Sequence, residues 1–197
     1  MTRTIVRLFD RRTDAMEAAH EVERMGVREQ DVSIIASNKD SWFGSDAKDE
    51  KKDRDRDGRD DRGEGAAKGA TTGGVLGAGA GLLAGLGLLA IPGLGPVVAA
   101  GWLASTATGA AAGALAGGAV GGIVGALQKE GVSEEDAHIY SEGVRRGGTL
   151  LTVRAEDNLA ADIEAALDRY NATDVQQRGQ EYRSSGWSRF DEHQPPA

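Results

Sequence analysis

Residues 4–36 read TIVRLFDRRTDAMEAAHEVERMGVREQDVSIIA, and this stretch decides the fold class. Its first six residues are rich in β-branched and aromatic side chains and predict a strand. Thr13 or Asp14 can then cap a helix, and Gly26 stands where a helix ends. The apolar positions of this helix form one stripe: Ala15, Ala18, Ala19, Val22 and Met25. DVSIIA, at 31–36, predicts a second strand, so the stretch is predicted to be a strand–helix–strand unit.

Residues 129–178 repeat this pattern after one extra helix. Ser133 begins a capping box, and the helix that follows it is expected to end before Gly148. TLLTVRA predicts a strand directly after this glycine, and Asn158 can cap the next helix. That helix carries an apolar stripe: Leu159, Ile163, Ala166, Leu167 and Tyr170. TDVQQ, at 173–177, predicts a weaker last strand.

Two such units predict an α+β fold with a ferredoxin-like sheet of four strands and helices on one face. Neither unit alone buries enough apolar surface, so the two are expected to fold together across the sequence between them. The predicted organisation is a first βαβ half at 1–37, a charged disordered linker at 38–68, a Gly/Ala-rich helical hairpin at 69–128, a helix plus the second βαβ half at 129–178, and a flexible tail at 179–197.

Composition excludes several classes of protein. The 197-residue chain has a formal net charge of -8, which argues against a general nucleic-acid-binding protein. It contains no cysteine, so disulfides, zinc–thiolate sites and thiol catalysis are excluded. The N-terminus lacks a secretory signal and is expected to stay in the cytoplasm.

The segment 69–128 contains no charged residue and carries two rows of glycines spaced four apart. The rows are Gly73, Gly77, Gly81 and Gly85, and then Gly109, Gly113, Gly117, Gly121 and Gly125, with Gly101 and Ser105 extending the second row. Between the rows, the prolines of 92–96 predict a turn. Small residues at this spacing let two helices pack closely, so the segment is predicted to be a glycine-zipper hairpin.

This hairpin has two interpretations. Residues 69–91 would form a helix of about 34 Å, long enough for a bilayer core of about 30 Å. The hairpin would then anchor the protein at the cytoplasmic face of the cell membrane, with lipid as its partner. The interleaved glycines weaken the apolar character, however, and a soluble hairpin that joins copies of the chain into a homo-oligomer remains open.

The chain also resembles the bacterial general stress protein family typified by the heat-induced stress protein YflT. The resemblance covers most of residues 3–178, and AIPGLGP and EGVRRGG are its most specific stretches. It implies a role in the stress response and supplies no catalytic residue. The predicted function is therefore that of a non-enzymatic general stress protein, membrane-associated through its hairpin or, alternatively, soluble and self-associating.

One stretch fits a calcium-binding loop. DRDRDGRDDRGE, at 53–64, matches the pattern D-x-[DN]-x-[DN]-G-x5-E, with these candidate ligands: Asp53, Asp55, Asp57 and Glu64. Four arginines lie among the ligands and would repel a dication, and no amphipathic helices flank the loop. The match is interpreted as accidental, within a solvated polyampholyte linker.

No other pattern predicts a metal, a cofactor or a catalytic group. His20, His138 and His193 are far apart and lack metal-ligand spacing, and the glycine-rich stretches lack a nucleotide-binding pattern. Arg145 and Arg146 could contact anionic lipid headgroups or simply complement a helix C-terminus. The aromatic tail, with Tyr182, Trp187 and Phe190, could dock on the sheet, bind a partner or stay unstructured.

Overall fold

The computed structural model describes residues 2–43, 87–91, 94–103 and 122–191. Its strands and helices are β1 (Thr2–Phe9), α1 (Arg12–Arg24), β2 (Val32–Ser37), β3 (Gly87–Ile91), β4 (Gly95–Ala100), α2 (Gly122–Lys129), α3 (Glu134–Arg145), β5 (Thr149–Glu156), α4 (Asp157–Arg169) and α5 (Val175–Ser184). The calcium-loop match at 53–64, and every row glycine except Gly101 and Gly125, lie outside the described residues.

These strands form one antiparallel sheet in the order β1-β5-β2-β4-β3. β5 pairs with both of its neighbours, so that Leu151 lies opposite Arg7 on one side and Ile34 on the other. β1 and β2 are therefore parallel to each other, and α1 connects them across the strand that separates them. The predicted α+β class is confirmed.

Helices cover both faces of this sheet. α1 and α4 pack on the face that carries Phe9 and Ile34. α2 and α3 pack on the opposite face, which carries Leu8 and Ile35. The prediction of helices on a single face is wrong, because consecutive residues of β2 and β5 are buried, so both faces of these strands need a cover. Burying each leucine or isoleucine stabilises the fold by about 1.5–3 kcal/mol, which favours a cover on both faces.

α1 packs as predicted but begins differently. Its predicted stripe is buried against the sheet at Ala15, Ala18, Ala19 and Val22, with Met25 partly buried beside it. Gly26 follows the helix at φ +96°, a conformation that glycine adopts without strain. Arg11 occupies the cap position without a side-chain cap bond, so the predicted cap at Thr13 or Asp14 is wrong.

Asp14 instead ties α1 to the end of α4. Its carboxylate forms an ion pair with Arg11 at 2.8 Å and accepts a hydrogen bond from Asn171 Nδ2 at 3.2 Å. Burial alone would raise the pKa of Asp14, but the hydrogen bonds from Arg11 and Asn171 and the arginine charge outweigh it. The pKa of Asp14 is therefore lowered from its ordinary value of 3.8.

This lowered pKa predicts an acid-sensitive contribution to stability. The ionised carboxylate stabilises the fold above pH 4, and the contribution is lost as the pH falls through the folded-state pKa. We expect Asp14→Asn to lower the free energy of unfolding at pH 6 and to converge with the wild type towards pH 2. Urea unfolding at a series of pH values measures this difference, and a difference that does not change with pH would contradict the prediction.

The second half begins as predicted. The Ser133 hydroxyl accepts a hydrogen bond from the Asp136 N–H at 3.1 Å and caps α3. Gly147 follows α3 at φ +105°. The stripe of α4 is confirmed, since Ile163, Ala166 and Leu167 are fully buried. Its predicted cap at Asn158 is wrong: the cap position is Glu156.

The predicted strand at 173–177 is also wrong. It is reduced to a single bridge between Leu8 and Thr173, in which the Thr173 N–H donates to the Leu8 carbonyl at 2.7 Å. Asp174 then caps α5 by accepting from the Gln177 N–H at 2.8 Å. Of the tail predicted to be flexible, residues 179–191 are described, and Phe190 is 2% exposed. The chain docks on α3 and α2 rather than extending the sheet.

The helical hairpin predicted at 69–128 is wrong for the residues around its turn. The chain does reverse direction between β3 and β4, but both are strands, with Ile91 opposite Gly95. Val97 and Val98 favour a strand over a helix, and β2 offers a free ladder to pair with. Within the described part of 69–128, α2 keeps the predicted helical conformation, with Gly125 buried in it.

Candidate interaction site

The chain between β2 and α3 leaves the sheet domain at two places, and the first of these is a turn after β4. Gly101 makes this turn at φ +85°, and a Cβ added there would lie 2.3 Å from the Val32 carbonyl oxygen. The buried hydroxyl of Ser33 donates to the Ala100 carbonyl at 2.7 Å and accepts from the Leu103 N–H at 3.3 Å. β2 therefore fixes the direction in which the chain leaves the sheet towards 104–121.

A cluster formed by the side chains of Trp102, Glu130 and Arg154 also holds the chain at this turn. The Arg154 guanidinium lies 3.6 Å from the centroid of the Trp102 ring. Its Nη2 and Nε donate to the two carboxylate oxygens of Glu130 at 2.6 and 3.1 Å, and Thr4 donates to the same carboxylate. Only arginine combines a two-pronged carboxylate bond with stacking on an indole ring. Because Trp102 precedes 104–121 and Glu130 follows α2, the cluster fixes both ends of that segment.

The apolar core fixes these ends as well. Leu103 and Ile123 are fully buried, and both belong to the cluster between the sheet, α2 and α3. The chain therefore leaves and returns on the same face of the sheet. We call Gly101–Leu103, α2 and Glu130 the 103/122 junction.

The contacts of Arg154 are expected to stabilise this junction by a measurable amount. We expect Arg154→Ala to lower the free energy of unfolding by about 1–2 kcal/mol, the sum of a partly exposed ion pair and a cation–π contact. Arg154→Lys should recover less than half, since lysine keeps the charge but loses the fork and the stacking. Urea unfolding followed by circular dichroism measures both.

Arg3 supplies the control for this series. It makes one ion pair, with Glu164, and its side chain is 57% exposed. Arg3→Ala is expected to change the free energy of unfolding by less than about 0.5 kcal/mol. An Arg154→Ala variant no less stable than Arg3→Ala would show that the cluster does not hold the junction.

The second place, which we call the 43/87 junction, is an ordered turn at 38–43. The Asn38 N–H donates to the Pro96 carbonyl, and the Asn38 side chain accepts from the Phe43 N–H. Trp42 donates to the Ser37 carbonyl at 2.8 Å, and the Arg12 guanidinium lies 3.8 Å from its ring centroid. The first six residues of the predicted disordered linker are therefore packed against the domain.

The C-terminal segment, residues 175–191, is held on α3 by a cluster of buried charged side chains. Glu142 is 2% exposed and forms ion pairs with Arg145 at 2.5 Å and with Arg146 at 2.6 Å. The two guanidinium groups face the rings of Phe190 and Tyr182, at 5.3 and 4.3 Å. Arg145 is therefore buried beneath the C-terminal segment, and its interpretation as a headgroup ligand is wrong.

A shallow cleft of about 450 Å³ lies between α3 and this segment. It is lined by Glu134, Glu135, His138, Arg183, Trp187, Ser188 and Arg189. Burial and the charge of Arg189 lower the pKa of His138, so its imidazole is neutral near pH 7. The His138 Nε2 lies 3.8 Å from Glu134, beyond hydrogen-bond distance, so the two do not form an oriented acid–base pair.

The described residues hold no group of three histidine, aspartate or glutamate side chains placed to bind a metal ion. Among the described helices, none combines the length and the apolar character that crossing a bilayer requires.

The sequence contained signals for the 103/122 junction that pattern reasoning missed. Arg154 is a charged residue between the buried Val153 and Ala155 of β5, and a charge in such a place commonly has a dedicated partner. Gly101 comes shortly after the β-branched pair Val97 and Val98, a context that favours the end of a strand over the predicted helical glycine row. Its φ of +85° shows that it ends a strand instead.

Comparison with known proteins found no matching family model, curated protein or solved structure.

Proposed function

We propose that this chain is a non-enzymatic, stress-associated protein whose sheet domain presents Gly/Ala-rich segments for association between copies. The observation that carries this proposal is the 103/122 junction, which fixes both ends of 104–121 on one face of the sheet. The role in stress rests on the family resemblance alone.

The junctions favour self-association over a transmembrane hairpin. β3 and β4, which flank the predicted turn, are paired in the sheet, so the connection between them cannot lie on the far side of a bilayer. A segment that leaves and returns on one face must cross a bilayer an even number of times. The eighteen residues of 104–121 would reach about 27 Å as a helix, less than one bilayer core of about 30 Å.

Membrane association at the interface is the second candidate. Trp42 and Trp102 lie at the two junctions, and the neighbouring Phe43 is the exposed large apolar side chain of the described residues, at 37%. Aromatic side chains at this position are typical of proteins that contact the headgroup region. In this candidate the domain lies on the cytoplasmic face of the membrane and the segments enter it shallowly.

We also infer that the domain is an elaborated ferredoxin-like unit. In that arrangement a third strand separates the two strands of each strand–helix–strand half. β5 separates β1 and β2 in this way, and Thr173 bonds β1 where a fourth strand would pair. The β3–β4 hairpin extends the sheet beyond that pattern.

Fractionation followed by sedimentation separates the two candidates. Self-association predicts that the chain stays in the supernatant and sediments without detergent as a multiple of 20.5 kDa. Retention in membranes washed with alkaline carbonate would support the membrane candidate. A soluble monomer at tens of micromolar would contradict both.

A matched pair of variants then tests the segments themselves. Gly117 lies in the glycine row, and Ala119 lies about 200° away on the same ideal helix. Gly117→Leu is expected to lower the mass of the particle, whereas Ala119→Leu should leave it unchanged. Equal effects of the two substitutions would show that the row is not the contact.

A further inference from the structure

The two edge strands of the sheet, β1 and β3, differ in whether their outward backbone groups are hydrogen-bonded. On the β1 edge, the Tyr140 hydroxyl donates to the Val6 carbonyl at 3.2 Å, and the Thr173 N–H donates to the Leu8 carbonyl at 2.7 Å. Burial raises the pKa of Tyr140 to about 12, so this donor is present throughout the physiological pH range. The β1 edge is therefore blocked against another strand.

The β3 edge is open as far as the described residues extend. The Pro96 carbonyl accepts from the Asn38 N–H, so Pro96 and every second residue of β4 bond towards β2. The residues between them bond towards β3, where they face Gly87, Leu89 and Ile91. The backbone N–H and C=O groups of Leu88 and Ala90 must therefore point away from the sheet.

Charge distinguishes this edge from the rest of the chain. β3 and β4 lie inside the segment 69–128, which contains no charged residue, while the chain as a whole carries a net charge of -8. Edge strands of monomeric proteins commonly carry lysine, proline or a bulge that prevents pairing, and GLLAI carries none of these. Two copies of the chain therefore meet the least electrostatic repulsion at β3.

We propose that β3 pairs antiparallel with β3 of a second copy, which joins two sheets across a twofold axis. The proposal takes its partner, a second copy, from the proposed self-association, and adds a surface distinct from the glycine rows. The same patch on both chains satisfies twofold symmetry. One register satisfies all the outward groups, with Leu88 opposite the partner's Ala90 and the twofold axis at Leu89.

This register can be tested with cysteines, since the natural chain has none. At the axis, Leu89 forms a pair without hydrogen bonds, in which the Cα atoms are about 4.5 Å apart. Such a distance suits a disulfide. We expect Leu89→Cys to give a cross-linked dimer on diamide oxidation, seen in a non-reducing gel and reversed by dithiothreitol.

Ile91 provides the matched control. It faces the partner's Gly87, so two copies of position 91 lie about 14 Å apart along the paired strands. Ile91→Cys alone should stay monomeric in the gel, whereas a mixture of the Gly87→Cys and Ile91→Cys chains should cross-link. If Leu89→Cys does not fold, this mixture still tests the proposed register.

The outcomes separate the two proposals. A monomeric wild type by sedimentation would overturn both. A wild-type oligomer with no cross-link in either Leu89→Cys or the mixture would overturn only the β3 pairing and leave the glycine rows as the contact. Equal cross-linking of Ile91→Cys and Leu89→Cys would show random collision and would also overturn the pairing.

Discussion

Gly101→Ala is expected to lower the free energy of unfolding by about 3 kcal/mol or more. Two costs add at this position. A left-handed backbone costs a non-glycine residue about 1–2 kcal/mol. The new methyl group would also lie 2.3 Å from the Val32 carbonyl oxygen and 2.7 Å from the Ser33 Cα, and overpacking against backbone costs about 1–3 kcal/mol. Urea unfolding followed by circular dichroism measures the change.

Gly26 separates these two costs. It has a similar φ of +96°, but a Cβ added there would meet nothing within 4 Å. Gly26→Ala should therefore show only the backbone cost, about 1–2 kcal/mol. If the two variants lost equal stability, the close approach of β2 to the 103/122 junction would not contribute, and the proposed fixation of that junction would be contradicted.

Glu142→Ala is expected to destabilise by about 3–5 kcal/mol, because it leaves the buried guanidinium of Arg145 without its carboxylate. The Arg145 side chain is only 9% exposed, so water cannot take the place of the lost partner. Arg146 contributes less, since 42% of its side chain remains exposed to solvent. We also expect Phe190 and Tyr182 to loosen from α3, which faster proteolysis of the C-terminal segment would report.

The exposed pair between Arg3 and Glu164 again supplies the comparison. Glu164→Ala should cost less than about 1 kcal/mol, because its charge and that of Arg3 stay hydrated when unpaired. Glu142→Gln keeps the shape and one acceptor and should fall between the two. A Glu142→Ala variant as stable as Glu164→Ala would mean that Arg145 finds solvent or another partner when the glutamate is lost.

Local signals predicted the local elements. The stripe of α1, the glycine that ends it and the Ser133 cap depend on contacts within one or two helical turns, which a single sequence displays. The cover on both faces could also have been predicted, since the adjacent apolar pairs Ile34-Ile35 and Leu150-Leu151 place one apolar side chain on each face of their strands. That pattern is typical of strands buried on two sides.

Long-range pairing decided the elements that the sequence did not reveal. GPVVAA became a strand because it pairs with β2, about sixty residues earlier in the chain, and GLLAI then pairs with GPVVAA. TDVQQ became a helix because Asp174 caps it and α3 offers an apolar face for Tyr182. β2 and α3 are both far in sequence from the segments that they contact. Tertiary contacts therefore outweighed the local conformational propensity at both places.

The candidate site could not be predicted from the sequence for the same reason. Trp102, Glu130 and Arg154 are each ordinary in their local sequence, and only the sheet brings them together. The sequence shows an indole, a carboxylate and a guanidinium, but it does not show that the three groups lie together. Their convergence required the register that places β5 beside β2.

The strand order has a consequence for the covalent continuity of the chain. A cut between residues 43 and 87 would yield one piece with β1 and β2 and another with β3, β4 and β5. In the order β1-β5-β2-β4-β3, the second piece inserts β5 between the two strands of the first. The pieces would therefore remain interlocked as a nicked but native sheet, and neither half could be expressed as an independent domain.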